Sequence, residues 1–233
     1  MGVNSKFKVI VFTPIWGRHD IVRIWQKGIE RIKNYWPEAI EIIPFCMVSN
    51  KADKDMIESF GYQYTYCDNT PLGAKHNAGA MALKDIDFDY ILQLGSDDLI
   101  TNEYLEYALA AMVEGKQLFG VNKLLFCEPK KQSACSFHLT TQSYTLIGAG
   151  RFISREAIEK LNYKLWLDSV NRGLDMTSQS NLATIGITPE VLEIPKYCVL
   201  DVKSDTNIWS FEHFADNHPK ANYNLVKHLF PEI

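Results

Sequence analysis

The first half of the chain alternates apolar runs with amphipathic segments. Residues 8–13, "KVIVFT", predict a buried strand that Pro14 and Gly17 bring to an end. Ile21, Ile24, Trp25, Gly28, Ile29 and Ile32 then recur every three or four residues, one stripe of an amphipathic helix that stops before Pro37. "IEIIPFCMVS" predicts a second strand, "KADKDMIESF" a short helix closed by Gly61, and "YQYTYC" a third strand with alternating faces. "GAKHNAGAMALK" reads as a helix of small residues and "DYILQL" as a fourth strand. "NEYLEYALAAMVEG" follows as a helix, with Glu103 well placed in its first turn. Strand and helix alternating four times predict an α/β fold with a mostly parallel central sheet flanked by helices.

The second half is less regular. "LFGVNKLLFC" predicts a strand, "EPKKQSACS" a polar loop, and "FHLTTQSYTLIG" the rest of a hairpin. "SREAIEKL" and "DMTSQSNLATIG" predict short helices, the first capped by Ser154, and "EVLEIPKYCVL" a last strand. Residues 201–233 are expected to form a helical tail or a lid. With no internal repeat, low-complexity tract or linker, one domain over 1–233 is expected, its halves dividing near residues 115 and 116.

Composition adds little that is specific. With 46% hydrophobic and 22% charged residues there is ample material for a core. Twenty-four basic against 28 acidic side chains exert no long-range pull on nucleic acid or anionic membrane. No run approaches the roughly 18 apolar residues of a membrane span. The N-terminus "MGVNSKFKVIVF" lacks the apolar region and cleavage site of a signal peptide. The five cysteines, Cys46, Cys67, Cys127, Cys135 and Cys198, are odd in number and include no CxxC pair. They predict reduced thiols and a cytoplasmic setting.

In parallel sheets of this kind ligands bind beyond the carboxyl ends of the strands. Thr13, Ser49, Asp68 and Asp97 are all expected at those ends. The stretch "DYILQLGSDDLI" runs an apolar strand into Gly95, Ser96, Asp97 and Asp98. Two carboxylates there cost free energy to desolvate unless something positive meets them. They suit Mg²⁺ or Mn²⁺ held against a diphosphate, and they equally suit a helix cap or a solvated turn. Gly95 and Ser96 would let ligand and backbone come close. In "NTPLGAKHNAGAMA" a helix entry carries Gly73, Lys75, His76, Asn77 and Gly79, which suits either a phosphate or close packing on the sheet. In "TPIWGRHD", Thr13, Pro14, Trp16 and Arg18 either surround a nucleotide or form a structural turn. Asp175 is read as a helix N-cap or as a general base.

Four motifs in this order resemble the large family-two glycosyltransferases of GT-A fold, whose chains use nucleotide-diphospho-sugars. The resemblance rests on the Thr13–Arg18 turn, on Gly73, Asn77 and Gly79, and on the strand ending in Asp97–Asp98. It extends to "GAGRFISREAIEKL" from Gly148 and to "LDMTSQSNLATIG" closing at Gly186, and covers roughly residues 7–187. It implies a sugar transfer to an acceptor hydroxyl, with a nucleotide-sugar half (7–115) and an acceptor-side half (116–200). Asp97 and Asp98 would hold Mn²⁺ or Mg²⁺. Thr13, Pro14, Trp16, Arg18, Ser49, Lys75, Asn77, Ser96 and Asp97 would border the donor, UDP-linked sugars being the leading class. Asp175 would deprotonate the acceptor and so give inversion. A further metal ligand would come from Asp201, His213 or His218.

This sequence departs from the family pattern in three respects. Gly95 stands where a further acid is common, Ser49 and Asn50 where acids hold base and ribose, and Leu174 where a glutamate precedes the aspartate. These departures motivate an alternative, a catalytically degenerate module that only binds the nucleotide-sugar. A nucleotidyltransferase would want a richer phosphate loop than "TPIWGRHD", and a polymerase palm a longer and more basic chain. The acceptor stays open among a glycan, a protein, a lipid-linked sugar and a modified nucleic-acid base.

Overall fold

A computed structural model of the chain describes residues 6–140, 145–204 and 210–233. The first half contains β1 (Phe7–Pro14), α1 (His19–Lys33), β2 (Ile40–Val48), α2 (Lys51–Ser59) and β3 (Gln63–Tyr66). It continues with α3 (Leu72–Ala82), β4 (Tyr90–Gln93), β5 (Asp98–Ile100) and α4 (Asn102–Val113). The second half contains β6 (Leu118–Gly120), β7 (Lys123–Glu128), β8 (Ser133–His138), β9 (Arg151–Ser154), α5 (Arg155–Lys160) and α6 (Leu174–Thr184). It closes with β10 (Glu190–Val191), β11 (Val199–Val202), α7 (Phe211–Ala215), β12 (Lys220–Ala221) and α8 (Tyr223–Leu229).

Among the described residues the strands form two sheets, ordered β10-β6-β9-β4-β1-β2-β3 and β12-β8-β7-β11-β5. In the first, β4, β1, β2 and β3 are parallel neighbours, as the alternating pattern predicts. Both faces of this sheet are covered, and β1 shows how. Val9 and Val11 join a core with Trp25, Ile29 and Tyr104, while Ile10 and Phe12 join another with Ala80, Ala157 and Trp166. Alternate residues on one strand feed opposite layers, which is why the run is apolar without a break. Pro44 is tolerated within β2 because pairing to β3 begins only at Phe45.

Several expectations need correction. The stripe of α1 that joins the first core is Val22, Trp25, Ile29 and Ile32, while Gly28 lies against Leu99 of β5. Ile21 and Ile24 face the other way, against a third core with Leu99, Val226 and Phe230. "LFGVNKLLFC" is not one strand, because β6 pairs with β9 in the first sheet and β7 with β8 in the second. "EVLEIPKYCVL" likewise divides, β10 joining β6 and β11 joining β7 and β5. The expected helical tail is mixed: β11 extends to Val202, β12 pairs with β8, and α8 docks Val226 and Phe230 into the third core. Residues 205–209 of the proposed lid lie outside the described residues. No helix among the described residues is long and apolar enough to cross a membrane.

Candidate functional site

Residues 94–97 link the first sheet to the second, so the Gly-Ser-Asp-Asp stretch is the joint between them. Asp98 opens β5 and stands opposite Asp201 of the antiparallel β11. The Val202 N–H donates to the Asp97 carbonyl at 2.8 Å, which fixes the joint to the same strand. Asp98 Oδ2 accepts the Gly95 N–H at 2.6 Å. A Cβ at Gly95 would stand 2.8 Å from both Asp97 Oδ1 and Asp98 Oδ2. The space above Gly95 is taken by these carboxylates, and a side chain at this position would have to displace them.

Two internal cations meet the three carboxylates. Arg18 donates from one terminal nitrogen to Asp97 Oδ2 at 2.7 Å and from the other to Ser96 Oγ at 2.8 Å. Lys203 donates to Asp201 Oδ2 at 2.6 Å, with its ammonium 4.8 Å from the ring centre of Phe126 and 5.1 Å from that of Phe214. Burial, with the Asp97 and Asp201 charges, pushes the Asp98 carboxyl well above the usual range. Burial likewise pushes Asp201 up to about 6, Lys203 opposing and Asp97 reinforcing the shift. Crowded anions of this kind are stabilised by an added cation.

The donor set fits a hard divalent cation in one particular way. Asp201 Oδ1 is buried without a hydrogen-bond partner among the described residues. Yet no three His, Cys, Asp or Glu side chains among them surround a common metal position. The residues suit an ion held by one or two carboxylates and completed by substrate phosphates. Of the C-terminal candidates, Asp201 is the one whose charge acts on Asp98. His213 is exposed on α7 beside Phe214, and His218 packs on Phe137 and Phe214.

The turn that carries Arg18 is built by a residue from another element. Gly17 and Arg18 both adopt left-handed backbone, at φ 59° and 52°. Asp53 of α2, buried to 1%, accepts from the Gly17 N–H at 3.0 Å. It also meets His19 Nε2 at 2.8 Å and accepts from Asn50 Nδ2 at 2.6 Å. One carboxylate thus holds the residues on both sides of Arg18, which offsets the strain of a non-glycine left-handed residue. Pro14 ends β1 and Trp16 beyond it is half exposed. Thr13 Oγ1, Ser49 Oγ and Gln93 Oε1, at the carboxyl ends of β1, β2 and β4, are buried without partners among the described residues. Three buried polar atoms left open at these strand ends call for partners that the described residues do not supply.

Lys75 and Asn77 are spent elsewhere. Lys75 donates to the Ile15 carbonyl at 2.8 Å and to Asn69 Oδ1 at 3.0 Å, and burial lowers its ammonium to about 8. Asn77 donates to the Trp166 carbonyl at 2.7 Å and to Asp168 Oδ1 at 2.8 Å, and accepts the Trp166 N–H at 3.1 Å. At the start of α3 the Leu72 N–H donates to Asn171 Oδ1 and the Gly73 N–H to the Val170 carbonyl. The small residues serve packing: a Cβ at Gly79 would come within 2.6 Å of Met47 Cγ and 2.9 Å of Phe12 Cζ.

Asp175 is half-buried in the first turn of α6, where Gly173, not Asp175, is the N-cap. Its Oδ2 accepts the Gly148 N–H at 3.0 Å. Fully buried Arg151 donates to Ser178 Oγ at 2.8 Å, to the Leu146 carbonyl at 2.7 Å and to the Asp175 carbonyl at 3.3 Å. Arg151 is also level with Gln93 across the β4–β9 ladder. Asp175 is thereby tied to the same strand end as the aspartate joint. All five cysteines are free thiols.

The sequence reading named neither Lys203 nor, as part of the site, Asp53. Asp201 and Lys203 are two residues apart on extended chain and so share a face, a signal that alternation alone would have revealed. Asp53 carries no such signal, because the partners that tie it to the site, Gly17 and His19, lie more than 30 residues away.

No protein-family model and no curated protein matches the sequence. Solved structures do. TarS of S. aureus, a glycosyltransferase, matches as its 1–349 structure with a TM-score of 0.60 and 14% identity, over 85% of this chain and 60% of that one. A longer TarS structure matches with the same score and identity, over 86% of this chain and 37% of that one. The mannosyltransferase PcManGT from Pyrobaculum calidifontis, solved with GDP-Man and Mn²⁺, matches at 0.57 and 12% identity, over 87% and 59%. The chain thus spans at most three-fifths of the length of these structures. Their likeness extends over both halves of the chain, which has the GT-A-like fold of these glycosyltransferases.

Proposed function

We propose that this chain is a glycosyltransferase that moves a sugar from a nucleotide-diphospho-sugar to an acceptor hydroxyl. The observation that carries the reading is the meeting of Asp97, Asp98 and Asp201 with Arg18 and Lys203 at the joint between the two sheets. This joint lies at the carboxyl edge of the parallel strands, where α/β sheets take their ligands. A divalent cation, Mn²⁺ or Mg²⁺, would neutralise charge on the departing diphosphate. One or two carboxylates of the Asp97, Asp98 and Asp201 cluster would hold it, and the substrate phosphates would complete its shell. Thr13, Ser49 and Gln93 would offer their open polar atoms to the nucleotide, and Trp16 an aromatic face. With Asp53 committed to the Gly17–His19 turn, hydroxyls rather than an acid would contact base and ribose.

Asp175 would act as the general base, its carboxylate oriented by the Gly148 N–H, and would take the acceptor proton for inversion at the sugar carbon. The free cysteines agree with a cytoplasmic enzyme. A UDP-linked donor heads the candidates, and GDP joins it because PcManGT was solved with GDP-Man.

The test is a thermal-shift panel of UDP, GDP, CDP and TDP, each with Mn²⁺, Mg²⁺ or EDTA. Binding to the folded state alone adds about 2.7 kcal/mol of stability at a hundredfold excess over Kd. A shift that requires one nucleotide and the metal together is expected. No metal-dependent shift with any of the four would overturn the reading.

A further inference from the structure

The acidic cluster carries its own cations, and the two are held differently. The Lys203 side chain is only 6% exposed, ion-paired to Asp201 and covered by two aromatic rings. The Arg18 side chain is 21% exposed and holds Asp97 and Ser96 through its two terminal nitrogens. Its backbone is fixed, because Asp53 grips the residues before and after it. The side chain of Arg18 is thus the part of the residue that is not held by Asp53, and it is partly open to solvent. A cation at Asp97 would compete with the guanidinium for the same carboxylate, and the two positive charges would repel. A guanidinium released there is well shaped for phosphate oxygens, which it binds with two parallel N–H donors.

We propose that Arg18 is the resident counter-ion of the Asp97–Asp98–Asp201 cluster, displaced from Asp97 by a divalent cation and received by the diphosphate of the donor. The inference rests on the donor-site reading above. Its consequence is obligatory cooperation. A cation alone must break the Arg18–Asp97 pair without compensation, and a diphosphate alone must draw Arg18 out of that same ion pair. Each ligand relieves the cost of the other, since a ligand shifts an equilibrium only by its differential affinity for the two states. The coupling is reciprocal and of the usual size, on the order of tenfold.

The experiment titrates Mn²⁺ into the full chain, with free Mn²⁺ read by electron paramagnetic resonance, in the absence and presence of UDP or GDP. Wild type is expected to bind Mn²⁺ weakly alone and about tenfold more tightly with the diphosphate. Arg18→Gln is expected to bind Mn²⁺ alone about tenfold more tightly than wild type and to bind the diphosphate more weakly, with the coupling reduced to what direct Mn²⁺–phosphate contact supplies. Arg18→Lys, which keeps the charge but not the fork, falls between. Unchanged or weaker Mn²⁺ binding by Arg18→Gln overturns the inference. Circular dichroism checks that this variant is folded. If it is not, Ser96→Ala, which removes one arm of the fork, must still tighten Mn²⁺ binding, by roughly twofold, and its failure to do so is equally decisive. A wild-type chain that binds neither diphosphate under any metal condition overturns the donor-site reading and the coupling with it. Diphosphate binding without the Arg18→Gln effect overturns the Arg18 inference alone.

Discussion

The Gly148 N–H donates to Asp175 Oδ2 at 3.0 Å, and a Cβ at Gly148 would come within 2.7 Å of Asp175 Cγ. The carboxylate thus sits on a glycine that leaves it just enough room. Gly148 lies two residues before Gly150, whose N–H donates to the Gln93 carbonyl at the end of β4. The proposed base and the aspartate joint are therefore mounted on the same strand end.

Asp175→Asn should abolish sugar transfer, by at least about a hundredfold in kcat as expected for loss of a general base, while donor Kd stays within about twofold. Gly148→Ala should produce the same pattern in milder form, because it moves the carboxylate without removing it. Isothermal titration with donor and a product assay separate the two effects. Loss of donor binding in Asp175→Asn would argue for a structural role. Transfer undiminished in both variants would remove Asp175 from the mechanism.

Gly73 tests whether α3 exists for packing or for phosphate. A Cβ there would lie 2.9 Å from the Leu167 carbonyl carbon and closer still to its oxygen, and backbone cannot yield as a side-chain tip can. Gly73→Ala should therefore destabilise the fold by about 2–3 kcal/mol, the usual cost of overpacking. Urea unfolding at neutral pH measures it. A stability loss under about 0.5 kcal/mol together with weakened nucleotide binding would instead favour a phosphate at this helix end.

The first four strands and their helices were legible because each carries its own local pattern. β1, β2 and β4 are largely buried and read as predominantly apolar runs, and α1 shows a stripe every third or fourth residue. The second half was not legible, because its strands change sheets inside continuous apolar runs. Nothing local distinguishes Phe119, in the first sheet, from Leu125, in the second. The site divides in the same way. Asp97, Asp98 and Arg18 could be found from their positions after predicted strands. That Asp201 faces Asp98 depends on a register between residues about a hundred positions apart, and no spacing encodes it. Lys75 and Asn77 were ambiguous for a related reason: Ile15 and Asn69 consume the first and the 166–168 segment the second, and both placements follow from the fold.

Lys203 is the cation that holds the second sheet's side of the cluster. Lys203→Met should cost about 3 kcal/mol, since it leaves Asp201 buried beside two other carboxylates with its partner gone. The double variant Lys203→Met/Asp201→Asn should recover most of that loss. Urea unfolding of wild type, both single variants and the double variant forms the cycle. Equal stability of Lys203→Met and wild type would mean that water, rather than Lys203, balances Asp201.

His76 gives the fold a pH dependence of definite sign. Its ring is buried against Trp166, with centroids 5.0 Å apart, and against Phe12 at 6.0 Å, and Nδ1 lies 2.8 Å from the Leu72 carbonyl. Burial lowers its pKa from 6.5 to about 4, the neighbouring Lys75 charge adding to the effect and the bond to Leu72 opposing it. Between those values the unfolded chain binds a proton that the folded chain refuses. The contribution is fully present above about pH 6.5, falls as the pH drops, and is gone near pH 4, about 3 kcal/mol in all. His76→Asn, which can keep a donor to the Leu72 carbonyl but does not titrate, should be less stable than wild type at pH 7.5. The gap should narrow toward pH 4.5, and unfolding at both values measures it. A gap that stays constant would mean that His76 is hydrated where it lies and titrates alike in both states, and one that widens toward low pH that the folded chain holds the proton.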